Sequence, residues 1–332
     1  MTSILGIGNA LVDIMTSLES DNLLSELNLP KGSMQIVNEE TINNAMVKTK
    51  NLKQTLASGG SAANTINGLA NLGSNTAFIG KVGNDDIGKF FLEDMIKTGT
   101  STTLLKGKNL TGRALALVSP DSERTFAVNL GAAIELNPED INIDQFKGHT
   151  YFHIEGYLVQ NHALIEKALI LAKQAGLTVS LDLASYNVVE ENIDFLKRIV
   201  KEYVDIVFAN EEEAKAFTGM TPEDALVKIA SIVKIAVVKL GAKGSMIKSG
   251  DYTCKIGVVK AKSIDTTGAG DMYASGFLYG QAKGLSLEQS GEIGALLSGK
   301  VIETIGPKML NSTWDSLNKQ VARIVNGEKI VG

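Results

Sequence analysis

The segment DTTGAGDMYASGFLYG (265–280) places small residues between two carboxylates, directly before a predicted helix. Gly268, Ala269 and Gly270 allow the backbone to approach an anion closely, and glycine permits the dihedral angles of an amide nest. The helix would direct its free N-terminal amides and its dipole at the same point. Asp271 would lie in the first turn, within reach of a hydroxyl group that attacks the anion. The segment therefore predicts a phosphate site with a general base, while a helix cap is the competing interpretation of Asp265 or Asp271.

A second glycine-containing segment, SGGSAANTINGLANLG (58–73), begins a predicted helix rich in Ala, Asn and Gly. Tight helix packing would explain its small residues, but Gly59, Gly60 and Asn64 at its start could also receive the hydroxyl groups of a ligand. Two other segments are weak phosphate-site candidates. GNDDIGKF (83–90) has Phe in place of the hydroxyl residue of a P-loop, and GIGNAL (6–11) lacks the third glycine of a dinucleotide fingerprint.

Strands and helices must hold these candidate site residues in place, and the apolar pattern along the chain predicts where those elements lie. Strands are predicted at 3–8, 76–83, 150–156, 177–183, 204–210 and 234–241. Helices are predicted at 163–176 and 192–203. Repeated alternation of strand and helix indicates an α/β fold, a doubly wound and mostly parallel sheet with helices on both faces.

Residues 112–132 interrupt this alternation. Their sequence has two apolar runs around SPDSE and predicts a β-hairpin, with turn-forming residues at Ser119, Pro120, Asp121 and Ser122. Together with SMQIV (33–37), the hairpin could form a small second sheet, which we expect to act as a lid. Because no linker-like stretch divides the chain, we expect one α/β domain over 1–332, with lid segments inserted at about 14–38 and 108–132.

Composition argues against several classes of function. The chain has 44% hydrophobic residues and a net charge of −5 without a long basic run, so we expect a globular protein with no nucleic-acid partner. The single Cys254 excludes an internal disulfide and a thiolate metal cage. No apolar run approaches the roughly 20 residues of a membrane span, and the N-terminal segment has no basic leader. We expect a cytoplasmic protein without a membrane partner. His153 falls on the predicted strand 150–156 and His149 directly precedes it; four residues apart on extended chain, the two are too far apart for a metal site.

Four motifs carry a family resemblance: GGSAAN (59–64), NEEE (210–213), KLGAKG (239–244) and DTTGAGD (265–271). Over essentially its whole length, the chain resembles the ribokinase-like, or PfkB-type, family of sugar and nucleoside kinases. Within that family, the segments most similar to bacterial adenosine kinases are GNALVDI (8–14), FAN before EEEA (208–214), ASGFLYG (274–280) and IGPK (305–308). The resemblance implies transfer of the γ-phosphate of ATP to the 5′-hydroxyl of a nucleoside, with adenosine as the expected acceptor.

The resemblance also implies roles for individual residues. Asp271 would take the proton of the 5′-hydroxyl, and the amides of Gly268, Ala269 and Gly270 would hold the charge on the transferred group. The ribose hydroxyls would be received by Asn9, Asp13, Gly59, Gly60 and Asn64. The nucleotide site would include Asn210, Glu213, Lys239, Gly241, Gly244 and Thr267.

Two further expectations concern the phosphates. Asn210 and Glu213 would organise hydrated Mg²⁺, with Glu213 acting through water, although a helix start with acidic residues would explain the same pair. Arg124, on the hairpin, would approach the transferring phosphate when the lid closes. Members of the family often respond to K⁺ near the DTTGAGD loop, so K⁺ is a further candidate cofactor.

Three alternatives stay open at this stage. A sugar kinase acting on ribose or a fructose-type substrate would share every chemical motif and differ only in the base pocket. A non-catalytic sensor could bind a nucleoside or sugar with the same fold, but it would not need Asp271. The pattern is compatible with a monomer and with a homodimer.

Overall fold

The computed structural model describes residues 2–121 and 123–331. Its strands are β1 (Ser3–Ile7), β2 (Leu11–Ser17), β3 (Met34–Ile36), β4 (Gln54–Gly59), β5 (Asn75–Val82), β6 (Ser101–Lys106), β7 (Gly112–Val118), β8 (Arg124–Asn129), β9 (Tyr151–Glu155), β10 (Thr178–Asp182), β11 (Ile206–Asn210), β12 (Ile235–Lys239), β13 (Ser245–Ser249) and β14 (Tyr252–Ile256). Its α-helices are α1 (Asn22–Glu26), α2 (Glu39–Thr49), α3 (Ser61–Asn71), α4 (Asp86–Lys97), α5 (His162–Gln174), α6 (Tyr186–Glu191), α7 (Ile193–Tyr203), α8 (Glu211–Thr218), α9 (Pro222–Ala230), α10 (Ala269–Ala282), α11 (Leu287–Val301) and α12 (Asn311–Val325).

The larger sheet has nine strands in the order β14-β13-β12-β11-β10-β9-β1-β5-β6. The strands from β12 to β6 pair in parallel, and β13 and β14 extend one edge in antiparallel fashion. All six predicted strand segments lie in the parallel part, which confirms the doubly wound α/β fold. Both predicted helices, α5 and α7, are also present.

Helices cover both faces of this sheet. Leu5 and Ile7 of β1 pack on one face, in a core shared with α5 to α9. Ile4 points to the opposite face and packs in a core that includes Ile66 of α3 and Phe277 of α10. Because successive side chains alternate between two buried faces, these strands appear in the sequence as continuous apolar runs. Among the described residues, no helix combines the length and hydropathy that a membrane crossing requires.

The smaller sheet has five strands in the order β3-β8-β7-β2-β4. The predicted hairpin is present as β7 and β8, which pair in antiparallel register from Arg113 and Asn129 to Val118 and Arg124. Of the predicted turn residues, Ser122 lies outside the described residues. The sheet also contains β4, which lies outside the two segments expected for the lid, and its strand β2 begins at Leu11, before the first of those segments. β2 starts early because its alternating sequence buries Val12 and Ile14 between β7 and β4.

Candidate active site

A cavity of about 1700 Å³ lies between the two sheets. Five neighbouring strands of the larger sheet, β1 and β9 to β12, contribute lining residues at or just beyond their carboxyl ends: Asn9, Glu155, Asp182, Asn210 and Lys239. The smaller sheet contributes a mostly apolar wall that includes Leu11, Asp13, Ala114, Phe126 and Val128. The carboxyl edge of a parallel sheet is the usual place for a ligand in this class of fold.

The predicted anion loop lines this cavity at the start of α10. Gly268 adopts a left-handed conformation (φ +77°), and a Cβ atom there would lie 2.7 Å from Cβ of Pro307, so the position requires glycine. Among the described residues, the amides of Gly268 and Gly270 donate to no protein acceptor, whereas the Ala269 amide donates to the Thr266 carbonyl at 3.1 Å. The free amides and the positive end of the helix dipole therefore face the cavity and suit an anion.

The predicted base, Asp271, lies in the first turn of α10 and faces the start of α3. Its Oδ1 accepts a hydrogen bond from Ser61 Oγ at 2.7 Å, and its Oδ2 accepts one from Asn64 Nδ2 at 2.9 Å. Burial raises the pKa of Asp271 to about 6, against the opposing effect of these two hydrogen bonds. At neutral pH the carboxylate is ionised yet more basic than a solvated aspartate, as a general base requires.

The start of α3 is fixed by a buried carboxylate that the sequence motifs did not reveal. Glu155, at the end of β9, accepts hydrogen bonds from the amide and side chain of Asn9 (2.9 and 2.6 Å) and from the amide of Ala62 (2.9 Å). Gly60 (φ +96°) allows α3 to begin here, because a Cβ atom would lie 2.0 Å from the Asn9 carbonyl oxygen. Burial raises the pKa of Glu155 to about 7. Glu155 thus holds together two of the predicted hydroxyl-binding segments.

Asp13, predicted to receive sugar hydroxyls, extends from β2 into the cavity. Gly59 lies behind it, since a Cβ atom at Gly59 would be 2.4 Å from Asp13 Oδ2. Burial raises the pKa of Asp13 to about 7, while the nearby ammonium of Lys308 lowers it. Lys308 Nζ donates to Ser58 Oγ at 2.9 Å and lies 3.6 Å from an Asp94 carboxylate oxygen. Gly59 itself falls outside the set of described residues that line the cavity.

A cluster of charged side chains lies beside the anion loop, at the ends of β10, β11 and β12. Lys239 Nζ is 2.8 Å from Asp182 Oδ2, and a Cβ atom placed on Gly270 would lie 3.1 Å from the same nitrogen. Burial lowers the pKa of Lys239, but Asp182 and Glu213 raise it more, so the net shift is upward. Burial and the charge of Asp182 raise the pKa of Glu213. The ammonium therefore stays charged next to the amides that face the cavity.

The predicted magnesium pair, Asn210 and Glu213, forms a capping box at the start of α8. Asn210 donates to Glu213 from its amide (2.8 Å) and side chain (2.7 Å), and the Glu213 amide donates back to Asn210 Oδ1 (2.8 Å). Both line the cavity. No three His, Cys, Asp or Glu side chains within the described residues converge as metal ligands. Mg²⁺ usually keeps several waters and binds phosphates with one or two carboxylates, a role that this pair fits.

The sequence profile of the pfkB family carbohydrate kinases matches residues 33–314. This chain belongs to that family. It is similar to a probable sugar kinase from Rhizobium etli (TM-score 0.86, 35% identity, 98% of this chain and 100% of that one). It is also similar to the adenosine kinase from Sinorhizobium meliloti (TM-score 0.84, 34% identity, 96% and 99%). A 5-dehydro-2-deoxygluconokinase from Clostridium perfringens is 30% identical over 82% of this chain and 86% of its own length.

Membership of the pfkB family makes this protein a kinase, and it implies the use of ATP with a divalent cation. Sugar kinases and adenosine kinases both occur among the similar proteins, so membership alone leaves the acceptor undecided. The remaining nucleotide-site candidates, Gly241, Gly244 and Thr267, also line the cavity of this PfkB-family kinase.

Arg124 of the kinase lies outside the described residues that line the cavity. Its Nη1 is 3.0 Å from Asp265 Oδ1, and its Nη2 donates to the Ile264 carbonyl at 3.2 Å. The guanidinium thus contacts the turn that leads into the anion loop, and its predicted contact with a phosphate stays a prediction. Of the other residues described above, the motif analysis did not single out Ser61, Glu155, Asp182 or Lys308. The only sequence signal for Glu155 and Asp182 is an acidic residue at the end of an apolar strand.

Proposed function

We propose that this PfkB-family kinase transfers the γ-phosphate of ATP to the 5′-hydroxyl of adenosine and forms AMP and ADP. The observation that carries the proposal is a cavity that joins polar hydroxyl-binding groups to an apolar compartment. Asn9, Asp13 and Asn64 supply the polar groups. The apolar compartment is lined by Leu11, Met34, Ile36, Phe126, Val128, Ile134, Leu136 and Leu158. A free sugar carries hydroxyls around its whole ring, whereas a nucleoside presents a ribose on one side and a flat base on the other, which suits this division.

The proposed reaction uses the residues at the start of α10. Asp271 takes the proton from the 5′-hydroxyl while the oxygen forms a bond to the γ-phosphorus, and the bond to the β-phosphate oxygen breaks to release ADP. The amides of Gly268 and Gly270, with Lys239 beside them, stabilise the negative charge on the transferred group. Mg²⁺ that arrives with ATP would neutralise phosphate charge, and Asn210 and Glu213 would hold its waters.

Ribose recognition is assigned to the carboxylate of Asp13. A carboxylate accepts hydrogen bonds from two neighbouring hydroxyls, and an analogue that lacks one hydroxyl would leave a partly buried acceptor unpaired. The smaller sheet, which forms the opposite wall of the cavity, is proposed to act as the lid that excludes water during transfer.

The proposal is tested by measuring ATP consumption with Mg²⁺ and K⁺ against adenosine, guanosine, inosine, ribose and fructose. Selective turnover of adenosine, with AMP as product, is the expected result. Turnover of ribose or fructose alone would refute the nucleoside assignment while keeping a sugar kinase mechanism. Binding of adenosine without any AMP would indicate a sensor.

A variant separates catalysis from binding. Asp271→Asn should lower kcat by about 10²–10⁴-fold and leave adenosine binding by calorimetry largely unchanged. The control is Asp144→Asn, which changes an exposed carboxylate outside the described residues that line the cavity (side chain 77% exposed) and should keep normal turnover. Near-normal turnover by Asp271→Asn would refute the base assignment.

A further inference from the structure

Asp265, the first residue of DTTGAGD, has no part in the reaction proposed above, yet its carboxylate joins separate segments of the chain. The residue is only 4% exposed. Its Oδ1 accepts hydrogen bonds from the amide and hydroxyl of Thr267 at 2.9 and 2.7 Å, and its Oδ2 accepts one from the Gly306 amide at 2.6 Å. These bonds fix the turn that leads into the anion loop against the segment that follows α11.

The same carboxylate is paired with the smaller sheet. Arg124, the first residue of β8, places Nη1 3.0 Å from Asp265 Oδ1, and the two side chains are 12% and 3% exposed. The second terminal nitrogen, Nη2, donates to the Ile264 carbonyl, so Arg124 contacts both a side chain and the backbone of this turn. Among the described residues, Arg124 is the only cationic side chain that forms an ion pair with Asp265.

We propose that Asp265 is a positioning residue through which Arg124 couples the smaller sheet to the anion loop. Arg124 and Thr267 share one carboxylate oxygen of Asp265. Movement of β8 away from the loop would leave a buried carboxylate without its cation, which is strongly unfavourable. The loop would then have to rearrange, or water would have to enter. Closure of the sheet and assembly of the phosphate site are therefore one event.

This role differs from direct contact between Arg124 and a phosphate. If Arg124 acts through Asp265, its contribution to turnover depends on the carboxylate. If Arg124 acts on the phosphate, its contribution is independent of Asp265. A double-mutant cycle distinguishes the two because it measures that dependence.

The cycle compares Arg124→Met, Asp265→Asn and the double variant, with kcat measured on whichever acceptor the kinase phosphorylates. Each single change should lower kcat by about 10- to 100-fold. The kcat of the double variant should be no lower than that of the slower single variant, as for strongly coupled neighbours. Effects that multiply would overturn the coupling. The control is Lys31→Met, which removes an exposed cation that pairs with Asp121 in the turn of the same hairpin and with Asp21 (2.6 Å each). It should change kcat by less than about twofold.

A second measurement needs no substrate, so it tests the coupling even if the proposed function fails. Hydrogen exchange is followed in the free protein for amides of residues 265–271. Arg124→Met should speed exchange there, because the change on β8 releases the Asp265 carboxylate that holds the Thr267 amide. Lys31→Met should leave these amides unchanged. Unaltered exchange at 265–271 in Arg124→Met would overturn the proposal regardless of the kinetics and of whether Asp265→Asn folds.

Discussion

Replacing Ser61 by alanine should shift the pH dependence of phosphoryl transfer without removing the base. Ser61 Oγ donates to Asp271 Oδ1 at 2.7 Å, and this bond favours the ionised carboxylate. Its loss leaves burial, which raises the pKa of Asp271, less opposed. Because the base works only when ionised, the pH below which kcat falls should move upward.

The expected size follows from the hydrogen bond. A bond to a charged group contributes about 1.5 kcal/mol at the low end of its range, the appropriate end here because water in the cavity can replace the serine. Since one pKa unit corresponds to about 1.4 kcal/mol, the pKa of Asp271 should rise by about one unit, from about 6. At about pH 6 the variant should then be about fivefold slower than the natural chain, and at about pH 8 nearly equal to it.

The assay is kcat for ATP-dependent phosphorylation from about pH 5 to about pH 9, with both substrates saturating. Ser275→Ala is the matched control, because Ser275 Oγ donates to the main-chain oxygen of Asp271 (2.8 Å) and to the Thr65 carbonyl (2.8 Å), not to the carboxylate. Its acidic limb should stay where the natural chain has it. An acidic limb that is unmoved, or moved to lower pH, in Ser61→Ala would refute this account of the base.

Three other changes test the buried charges. Burial raises the pKa of Asp13 to about 7 in the folded chain, above the usual aspartate pKa of about 4, so the folded chain loses stability as pH rises from about 4 to about 7. The Tm of Asp13→Asn relative to the natural chain should therefore increase across that window in scanning fluorimetry. Lys308→Met removes the cation that lowers the pKa of Asp13, so KM for the nucleoside should rise near pH 7 and recover near pH 8.5 with kcat unchanged. Glu155→Ala leaves the Asn9 and Ala62 amides without acceptors and should lower the free energy of unfolding by about 2–5 kcal/mol in urea denaturation.

Each of these has a contrary outcome. A Tm difference that does not change with pH would contradict the raised pKa of Asp13. A KM that stays high near pH 8.5 in Lys308→Met would mean that the lysine shapes the pocket and does not set the charge of Asp13. A free energy of unfolding that is unchanged in Glu155→Ala would contradict the role of Glu155 as the joint between Asn9 and α3.

The parallel strands could be predicted because both of their faces are buried, which leaves an apolar run in the sequence. β4 (QTLASG) carries no such run, since most of its first residues are exposed, and its place is decided by pairing with β2 about 40 residues earlier. β13 and β14 extend one edge and alternate only weakly. Edge strands depend on partners that a local pattern does not contain.

The glycine loop and Asp271 could be predicted because their chemistry needs neighbouring residues in one short segment. Glu155 and Lys308 could not, since their partners Asn9 and Ser58 lie 146 and 250 residues away. The contact between Arg124 and Asp265 could not be predicted for the same reason. The sequence places an arginine on a hairpin, but it does not show where that hairpin lies in the fold. Roles that depend on tertiary neighbours became visible only in the fold.

The raised pKa values connect the smaller sheet, our proposed lid, to the chemistry. Asp13 extends from the smaller sheet, and Asp271 lies in the first turn of α10 on the larger one. Burial raises the pKa of both carboxyl groups, and the charge of Asp271 raises that of Asp13 further. If the smaller sheet moved away, water would return to both carboxylates and their pKa values would fall toward those of solvated aspartate. The base is then strongest only while the sheet is closed, the geometry in which Arg124 also contacts Asp265. An open enzyme would hold ATP beside a weaker base and an unfixed anion loop, which would favour transfer to the nucleoside over transfer to water.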